Sequence, residues 1–573
     1  MLVPAGLLVL LAAVLLLPQL GTAPFERAEI YFMDAARAMV ERGDYVVPYY
    51  RGQTFFDKPS LTYWLMAASF RVFGFTPDAA RLVPVLAALG AVLATVALGV
   101  VVLDRRSALT GGLILVTTLA FLSFGRVAMS DMLLTLWSTL AVALGVALFR
   151  PESVAPIVRP ALLPALGTVL GLGFLTKGPV ALLLPGLGLL LVLWRYRGSA
   201  LPAEVNRWGV ALAAALFGLI GLGWFVLVQR RLGWGPLQYF FLRENLERFA
   251  GEAYDAGREP WFYLTAYLAE GLPWSAFLPV ALSCFLREDL EGSEGQPGSR
   301  FLAAWMALAL IPLSLSRGKI DYYLLPFYPA ASLVLGHYFS VVPWGRFERV
   351  WARVALLSAA LALAGLAAVP ARLPAAWLPG PAARSTLVVV AGLGALGCLA
   401  ALHRLNPARV MAALAAPTAA VFLVLVSLFL PAFRKAQPNE AILEDVARER
   451  AYRPDAGLAL CQDPARVQRD LLFHARLNVW QRCALWEPAS SERPYMLLLR
   501  PEERPSLVSL PRMRTIREYA YLPATVLTLN GLLQPPKPAR LLLVANYTTR
   551  DPVAEVKRKR DRKQALREAG ELP

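Results

Sequence analysis

Asp57 and Lys58 stand side by side just ahead of an apolar run, Lys177 closes a second such run, and Lys319 follows a third. An ionisable group at the rim of a membrane span is costly, so each is a candidate for chemistry. Taken one at a time, each also has a plainer role. Lys58 and Lys177 read equally well as anchors whose ammonium groups snorkel to the interface. Arg317 and Lys319 read as topology signals or as partners of Asp321. What distinguishes these groups is that one membrane topology places all of them on the same side.

The elements that must position them are apolar. Of 573 residues, 57% are hydrophobic and 17% charged, and the mean hydropathy is +0.51. A chain of this kind is not a soluble globule. Runs of about 17–25 apolar residues read as transmembrane helices, and we count about thirteen. They centre near Leu10, Val92, Leu115, Leu140, Leu166, Leu187, Ala214, Pro279, Leu308, Leu333, Leu361, Val390 and Phe422. Lipid offers the backbone no hydrogen bonds, so the spans must be helical. The net charge of +17 would suggest nucleic acid in a soluble protein. Here much of it lies in short alternate loops, at Arg105 and Arg106, Arg150 and Arg159, Arg195 and Arg197, Arg287, Arg346 and Arg349, and Arg404 and Arg409. Such loops face the cytoplasm, which puts the N-terminus inside and everything after Arg434 outside. Lys58, Lys177, Arg317 and Lys319 then map to the outer ends of their spans. The basic tail Lys557–Lys563 falls outside as well; long segments translocate largely regardless of charge, and it reads as a solvated face or a contact for anionic head groups. Met1–Ala23 lacks a basic leader and reads as an uncleaved first span.

The first outer loop runs from about residue 24 to residue 60. Its Glu26–Arg42 stretch repeats Ile30, Met33, Ala36 or Arg37, and Val40 at helical spacing and ends at Gly43-Asp44, the pattern of a helix lying on a membrane surface. Leu61–Phe75 reads as a short apolar helix. A second outer loop, about Arg230 to Trp261, is rich in charge and aromatics, including Tyr239, Phe240, Arg243, Glu244 and Arg248. From residue 435 the apolar runs shorten to strand length, at Leu458–Leu460, Tyr495–Leu499 and Leu541–Val544, with helix-like stretches at Glu440–Arg450 and Asp463–Leu477. The chain is therefore expected to have a multi-span domain over 1–434 and a small soluble α/β domain over 435–573. Cys461 and Cys483 both fall in that terminal region, where export would permit a disulfide; Cys284 and Cys398 lie in apolar spans. No P-loop, GxGxxG, HExxH or Cys/His cluster supports ATP hydrolysis or zinc chemistry.

The stretch from Gly43 to Pro48 and on through Phe55-Phe56-Asp57-Lys58-Pro59 to Tyr63-Trp64 resembles the first outer loop of the aminoarabinose transferase (ArnT) family. That family lies within the wider protein O-mannosyltransferase-like group of multi-span glycosyltransferases, the GT-C fold. Further blocks follow in the same order: Arg126 with Ser130-Asp131-Met132, then Phe174–Pro179, then Tyr239–Phe249 with Pro260-Trp261 and Leu272-Pro273-Trp274, then Ser314–Lys319 with Tyr323–Pro326 and Tyr328-Pro329. The resemblance covers roughly residues 24 to 340. It implies an inverting single displacement that moves a sugar from a polyprenyl-phosphate donor to lipid A, another glycan or protein, on the periplasmic face of a bacterial inner membrane. It implies that Lys58, Lys177, Arg317, Lys319 and Tyr323 hold the lipid phosphate and stabilise the departing charge. The family's Asp-Glu pair at the start of the surface helix maps to Ala28-Glu29, so its Asp is missing. Glu29 is the best replacement, with Glu26 and Asp34 behind it, and Asp57 and Asp131 match further family acids. A carboxylate base is needed if the acceptor is a hydroxyl and less needed if it is a phosphate. The plain role for Glu29 is a helix N-terminal acid, and for Asp131 a helix cap. No cofactor is required; the family pattern often has a His before the Pro-Trp of the second outer loop, and here Arg258-Glu259 precede Pro260-Trp261, so a divalent metal has no support. The partners expected are a polyprenyl-linked sugar, a lipid or glycan acceptor and membrane lipid, with no nucleic acid. Two rival readings remain: a transporter or flippase for a lipid-linked solute, and an inactive lipid-binding relative. A transporter is expected to show midplane charges and matching halves, and the chain shows neither.

Overall fold

The computed structural model describes residues 2–23, 25–197, 201–247, 258–290, 298–372, 380–435, 437–460, 479–481, 494–499, 501, 514–521 and 539–546. The described chain is mostly helical and forms two compact units. One comprises residues 1–23, 31–370 and 380–430; the other comprises 24–30, 371–379 and 431–573.

Among the described residues, eight helices are long and apolar enough to cross a membrane. They contain the expected centres at Leu10, Val92, Leu140, Leu166, Ala214, Leu361, Val390 and Phe422. The other five centres also lie in helices, but shorter ones: Arg105–Val116, Val180–Arg195, Leu278–Leu290, Gly298–Leu315 and Tyr328–Ser340. At 1.5 Å per residue, a 13-residue helix such as Tyr328–Ser340 spans about 20 Å, short of the roughly 30 Å hydrocarbon core. The chain is an integral membrane protein whose most buried long helices are Pro77–Val102 and Asp131–Phe149.

Caps set the helix starts. Thr76 precedes Pro77 and accepts the Ala79 N–H through its side chain at 3.1 Å, and Asp104 accepts the N–H groups of Arg106 and Ser107 at 2.8 and 3.0 Å, so donors without intrahelical partners are satisfied. Small residues then allow close approach. A Cβ on Gly336 would lie 2.4 Å from the Ser107 carbonyl oxygen. That is why helix Tyr328–Ser340 packs backbone-close on Arg105–Val116.

The turn after the first helix is held by buried guanidinium groups. Arg126 donates to the carbonyls of Leu16 and Gln19 at 2.5 and 3.0 Å. Arg81 donates to those of Leu20 and Ala23 at 2.6 and 2.9 Å, and Asp78 accepts the Gly21 N–H at 2.8 Å. Arg126, singled out in the sequence as part of a motif, is a clamp on the first helix.

The surface helix runs Arg27–Arg42 and stops at Gly43, whose φ is +67°. A two-stranded hairpin not foreseen from the sequence follows, with β1 (Tyr49–Tyr50) antiparallel to β2 (Gln53–Thr54). The short apolar helix spans Leu61–Phe73. The segment expected as a second long loop is instead helical at its start: Gly235–Gln238 continues into a π-helix over Tyr239–Glu247. π-helical segments are rare and frequently fall at functional sites; others here lie at Gly218–Leu222 and Leu425–Phe429.

The second unit holds a five-stranded sheet of β3 (Gly457–Leu460), β4 (Val479–Gln481), β5 (Tyr495–Leu499), β6 (Arg514–Tyr521) and β7 (Ala539–Ala545), in the order β4-β3-β5-β7-β6. The three strands expected from the sequence are β3, β5 and β7. β3 is parallel to both β4 and β5, and β7 is antiparallel to β5 and β6. Helix Asn439–Tyr452 supplies Ile442 and Val446 to a core with Leu458, Met496, Leu498, Leu541 and Leu543. Asp445 on that helix accepts the Tyr519 hydroxyl at 2.7 Å. The expected helix at Asp463–Leu477, the cysteines Cys461 and Cys483, and the basic tail lie outside the described residues.

Candidate active site

Three small groups of charged side chains meet at the ends of apolar helices in the first unit. The first is Asp131 with Lys177. Asp131 is the first residue of helix Asp131–Phe149 and Lys177 the last of Leu162–Lys177, so each charge sits where its helix dipole favours it. Lys177 donates to the Asp131 carboxylate in an ion pair whose members are only 7% and 4% exposed. The same ammonium lies 4.5 Å from the ring centre of Tyr323, a cation–π contact. Trp137 braces the helix end by donating to the Thr176 hydroxyl at 3.1 Å. Gly178 carries the chain out at φ +69°, and a Cβ there would strike the Phe240 ring at 2.5 Å. Asp131 therefore pairs with a lysine; the helix N-cap is Ser130, which makes no side-chain capping bond.

The second group surrounds Lys58. Its ammonium donates to the Asp57 carbonyl at 2.7 Å and to the Glu244 carboxylate at 3.4 Å. The Glu244 side chain is fully buried. Tyr239, five residues earlier on the π-helix, donates its hydroxyl to Asp57 at 3.1 Å and reaches Glu244 at 3.5 Å. These two groups share one aromatic wall, in which Phe56 and Leu61 pack in a cluster with Phe174, Leu175, Trp224, Phe225 and Phe240. The wall links the Lys58 and Lys177 helix ends.

The third group is carried by the short helix Asp321–Phe327, which also bears Tyr323. Lys319 is 4% exposed and donates to the carbonyls of Ser316 and Arg258 at 2.7 and 3.2 Å. It does not pair with Asp321, one of its expected partners, whose carboxylate accepts the Tyr322 N–H at 2.9 Å. Arg317 is exposed. Across from Asp321 lies Glu270, at the end of helix Phe262–Glu270. Burial, and then the Asp321 carboxylate, push the Glu270 carboxyl up to about 7.

Glu29 is fully buried and sits in the first turn of the surface helix. Its carboxylate accepts the Glu26 N–H at 2.7 Å, the reciprocal half of a capping box. Asp34, held in reserve as an alternative acid, accepts the Arg51 N–H at 3.1 Å, and burial pushes its carboxyl up.

Sequence reasoning did not assign roles to Glu244, Tyr239 or Glu270. Glu270 carried a signal: an acid at the C-terminal end of an apolar helix opposes the dipole. Glu244 carried none beyond its place in an aromatic segment. The hydroxyls of Ser60, Thr62, Tyr63 and Ser130 beside these groups are buried without a hydrogen-bond partner among the described residues. No cluster of three or more His, Cys, Asp or Glu able to hold a metal occurs among the described residues.

Comparison with known proteins follows the same geography. The family described as dolichyl-phosphate-mannose-protein mannosyltransferase matches residues 20–232. An undecaprenyl phosphate-alpha-4-amino-4-deoxy-L-arabinose arabinosyl transferase of Pseudomonas paraeruginosa is 35% identical over 320 residues, 54% of each chain. The Sodalis glossinidius transferase of that name, numbered 1, is 32% identical over 324 residues, 56% of each. The chain thus spans about half the length of the curated relatives it matches. The crystal structure of ArnT from Cupriavidus metallidurans bound to undecaprenyl phosphate superposes with a TM-score of 0.70 at 19% identity, covering 95% of this chain and 98% of that one. Its apo state gives 0.68 at 20% identity, with 95% and 96% covered. The chain therefore resembles the ArnT-like and protein O-mannosyltransferase-like glycosyltransferases in sequence and has the ArnT fold.

Proposed function

We propose that this protein is a membrane glycosyltransferase that moves a sugar from a polyprenyl-phosphate donor to an acceptor at the periplasmic face of a bacterial inner membrane. The observation that carries the reading is the gathering of Lys58 and Lys177 at helix ends joined by one aromatic wall, with Tyr323 against the Lys177 ammonium and buried Lys319 just ahead of the helix that carries Tyr323. A lipid phosphate needs cations at head-group depth and an apolar path for its chain. Exposed Arg317 adds a guanidinium that pairs bidentately with phosphate oxygens. Unpartnered hydroxyls at Ser60, Thr62, Tyr63 and Ser130 are costly to bury, and sugar hydroxyls would satisfy them. The arabinosyl transferase relatives make an undecaprenyl-linked aminopentose the first donor to test and lipid A the first acceptor.

The chemistry assigned to these residues is simple. The cations neutralise the phosphate as the glycosidic bond breaks, so charge developing on the leaving oxygen is stabilised in place. Asp57 and Asp131 keep Lys58 and Lys177 oriented and stand ready to position the acceptor, while Glu29 is the base if the acceptor is a hydroxyl. In this reading about thirteen helices build the membrane domain, with the N-terminus cytoplasmic and a periplasmic α/β domain over 435–573.

The test is transfer of labelled sugar by membranes from a null strain into lipid, glycan and protein fractions. Wild type should label one fraction, and Lys58→Ala should lose that label. Well-expressed wild type that labels no fraction refutes the proposal.

A further inference from the structure

The opposite ends of the helices that carry Asp131 and Lys177 hold a cleft of their own. Helix Asp131–Phe149 begins at the Lys177 ion pair and ends 19 residues later, about 28 Å away at 1.5 Å per residue. Helix Val180–Arg195 starts just beyond Lys177 and runs to the same far end, where Phe149 stacks on Tyr196 with ring centres 5.1 Å apart and planes 18° from parallel. Beside that stack is a cleft of about 290 Å³ including its open mouth. Val102, Val146, Val192 and Phe301 form its apolar walls, one from each of four helices, and Arg150, Arg195 and Tyr196 form its polar part. Val102 closes helix Pro77–Val102, and Phe301 lies in the first turn of Gly298–Leu315. Among the described residues no acid lines the cleft.

Helix dipoles account for part of this arrangement. Three of the four helices present their C-terminal carbonyls here, and such ends favour a cation. Arg150 donates through Nη1 to the Val101 carbonyl at 2.5 Å and through Nε to the exposed Glu152 carboxylate at 3.2 Å. Those two bonds fix its guanidinium at the edge of the cleft and leave Nη2 uncommitted among the described residues. Arg195 is exposed, lies 5.7 Å from the Tyr196 ring centre, and has no ion-pair partner among the described residues. A helix end needs its cation; it does not need an apolar space beside two of them. The surroundings indicate what fills that space. Leu193 and Trp194, immediately before Arg195, are exposed, and a Trp at the end of an apolar helix marks the head-group level of a bilayer. The cleft therefore opens at the depth where lipid phosphates lie.

We propose that this cleft binds an anionic phospholipid. Its phosphate pairs with the Arg150 and Arg195 guanidinium groups, which match phosphate oxygens in fork geometry. The first part of its tail lies against Val102, Val146, Val192 and Phe301. Basic pockets between membrane helices suit such head groups, and a small soluble anion would leave the apolar walls unused. A zwitterionic lipid brings an ammonium group toward two cations and fits less well. Bound there, the lipid bridges the ends of four helices and stabilises the folded chain by mass action. In the topology proposed above this is the cytoplasmic leaflet, opposite the one that supplies the donor, and the site takes no part in sugar transfer.

The experiment uses the full chain in detergent micelles, with lipid binding read by native mass spectrometry. Phosphatidylglycerol and phosphatidylethanolamine of the same acyl chains are titrated separately. Wild type should bind phosphatidylglycerol at least about tenfold more tightly than phosphatidylethanolamine, the scale of one charge-assisted contact. Arg195→Gln should weaken phosphatidylglycerol about tenfold or more; Arg195 is exposed, so the packing is left intact. The control is Arg197→Gln. Arg197 lies 5.3 Å from the Trp194 ring centre and does not line the cleft, so its loss removes the same charge at the same depth. It should stay within about twofold of wild type. Thermal scans of the same proteins should show that phosphatidylglycerol raises the midpoint of wild type and Arg197→Gln but not of Arg195→Gln. Equal weakening in the two variants would mean surface charge instead of a site and overturns the proposal. So does unchanged binding in Arg195→Gln, or phosphatidylethanolamine bound as tightly as phosphatidylglycerol. Inorganic phosphate that displaces the lipid at equal concentration assigns the cleft to a free anion and overturns the lipid. Because the readouts are binding and stability, each outcome stands apart from whether sugar is transferred.

Discussion

The buried pair Asp131–Lys177 makes a prediction that separates structure from catalysis. Each member is less than a tenth exposed, and each is the other's counter-charge. Removing one partner strands the other in a poorly solvated place, which costs about 3–5 kcal/mol. Lys177→Met and Asp131→Asn should each destabilise by that amount. Replacing both by neutral groups removes the Coulomb attraction and both desolvation penalties together, so the double variant should lie within about 1–2 kcal/mol of wild type. The assay is urea unfolding in mixed micelles, followed by Trp fluorescence, with midpoint and slope reported for all four proteins. Sugar transfer is measured on the same preparations. If Lys177 also serves the donor phosphate, the double variant is stable yet transfers little sugar. Additive single and double effects would refute the reasoning: they would mean that the lysine charge is solvated and the pair contributes nothing.

Four further outcomes follow from the geometry. Glu29→Gln keeps the capping-box bond, so stability should stay within about 0.5 kcal/mol of wild type, whereas Glu29→Ala loses it and should cost about 1 kcal/mol. A transfer rate lowered about 100-fold or more in Glu29→Gln would mark a base, and an unchanged rate would leave only the cap. Glu244→Gln removes the negative partner of Lys58 and should tighten binding of undecaprenyl phosphate, measured as added thermal stability at fixed lipid, whereas Lys58→Ala should abolish that increment. Gly178→Ala meets both a left-handed backbone and the Phe240 ring and should cost about 1–3 kcal/mol, read by the same urea midpoints. The last is a pH effect: with its carboxyl raised to about 7, Glu270 costs little while protonated, and folding stability is lost as pH rises through 7. Glu270→Gln should therefore be more stable than wild type at pH 8 and nearly equal to it below pH 5, by thermal scans at each pH.

Helix placement was legible because apolar runs and lipid leave one solution. Every expected centre falls in a helix, yet Arg105–Val116 and Tyr328–Ser340 are shorter than a span, which their apolar composition did not reveal. Their glycines, not their hydropathy, set the backbone-close packing. Among the candidate site residues, the cations announced themselves by being charged at apolar ends. Their partners did not. Glu244 lies 186 positions from Lys58, and Lys177 lies 46 from Asp131, separations that local pattern cannot bridge. The hairpin at 49–54 and the helical start of the second loop were missed for a related reason. Neither has a clean period, since β1 and β2 are two residues each and a π-helix departs from the 3.6-residue repeat.

The guanidinium clamps on the turn after the first helix carry a consequence for biogenesis. Arg81 and Arg126 are synthesised after the helix whose terminal carbonyls they must meet, and until they arrive those carbonyls have no such donors. The full clamp on that turn therefore cannot close before about residue 126 has left the ribosome, although Arg81 can engage its two carbonyls earlier. A version lacking the first helix and the turn after it would take from both arginines the carbonyl acceptors at Leu16, Gln19, Leu20 and Ala23.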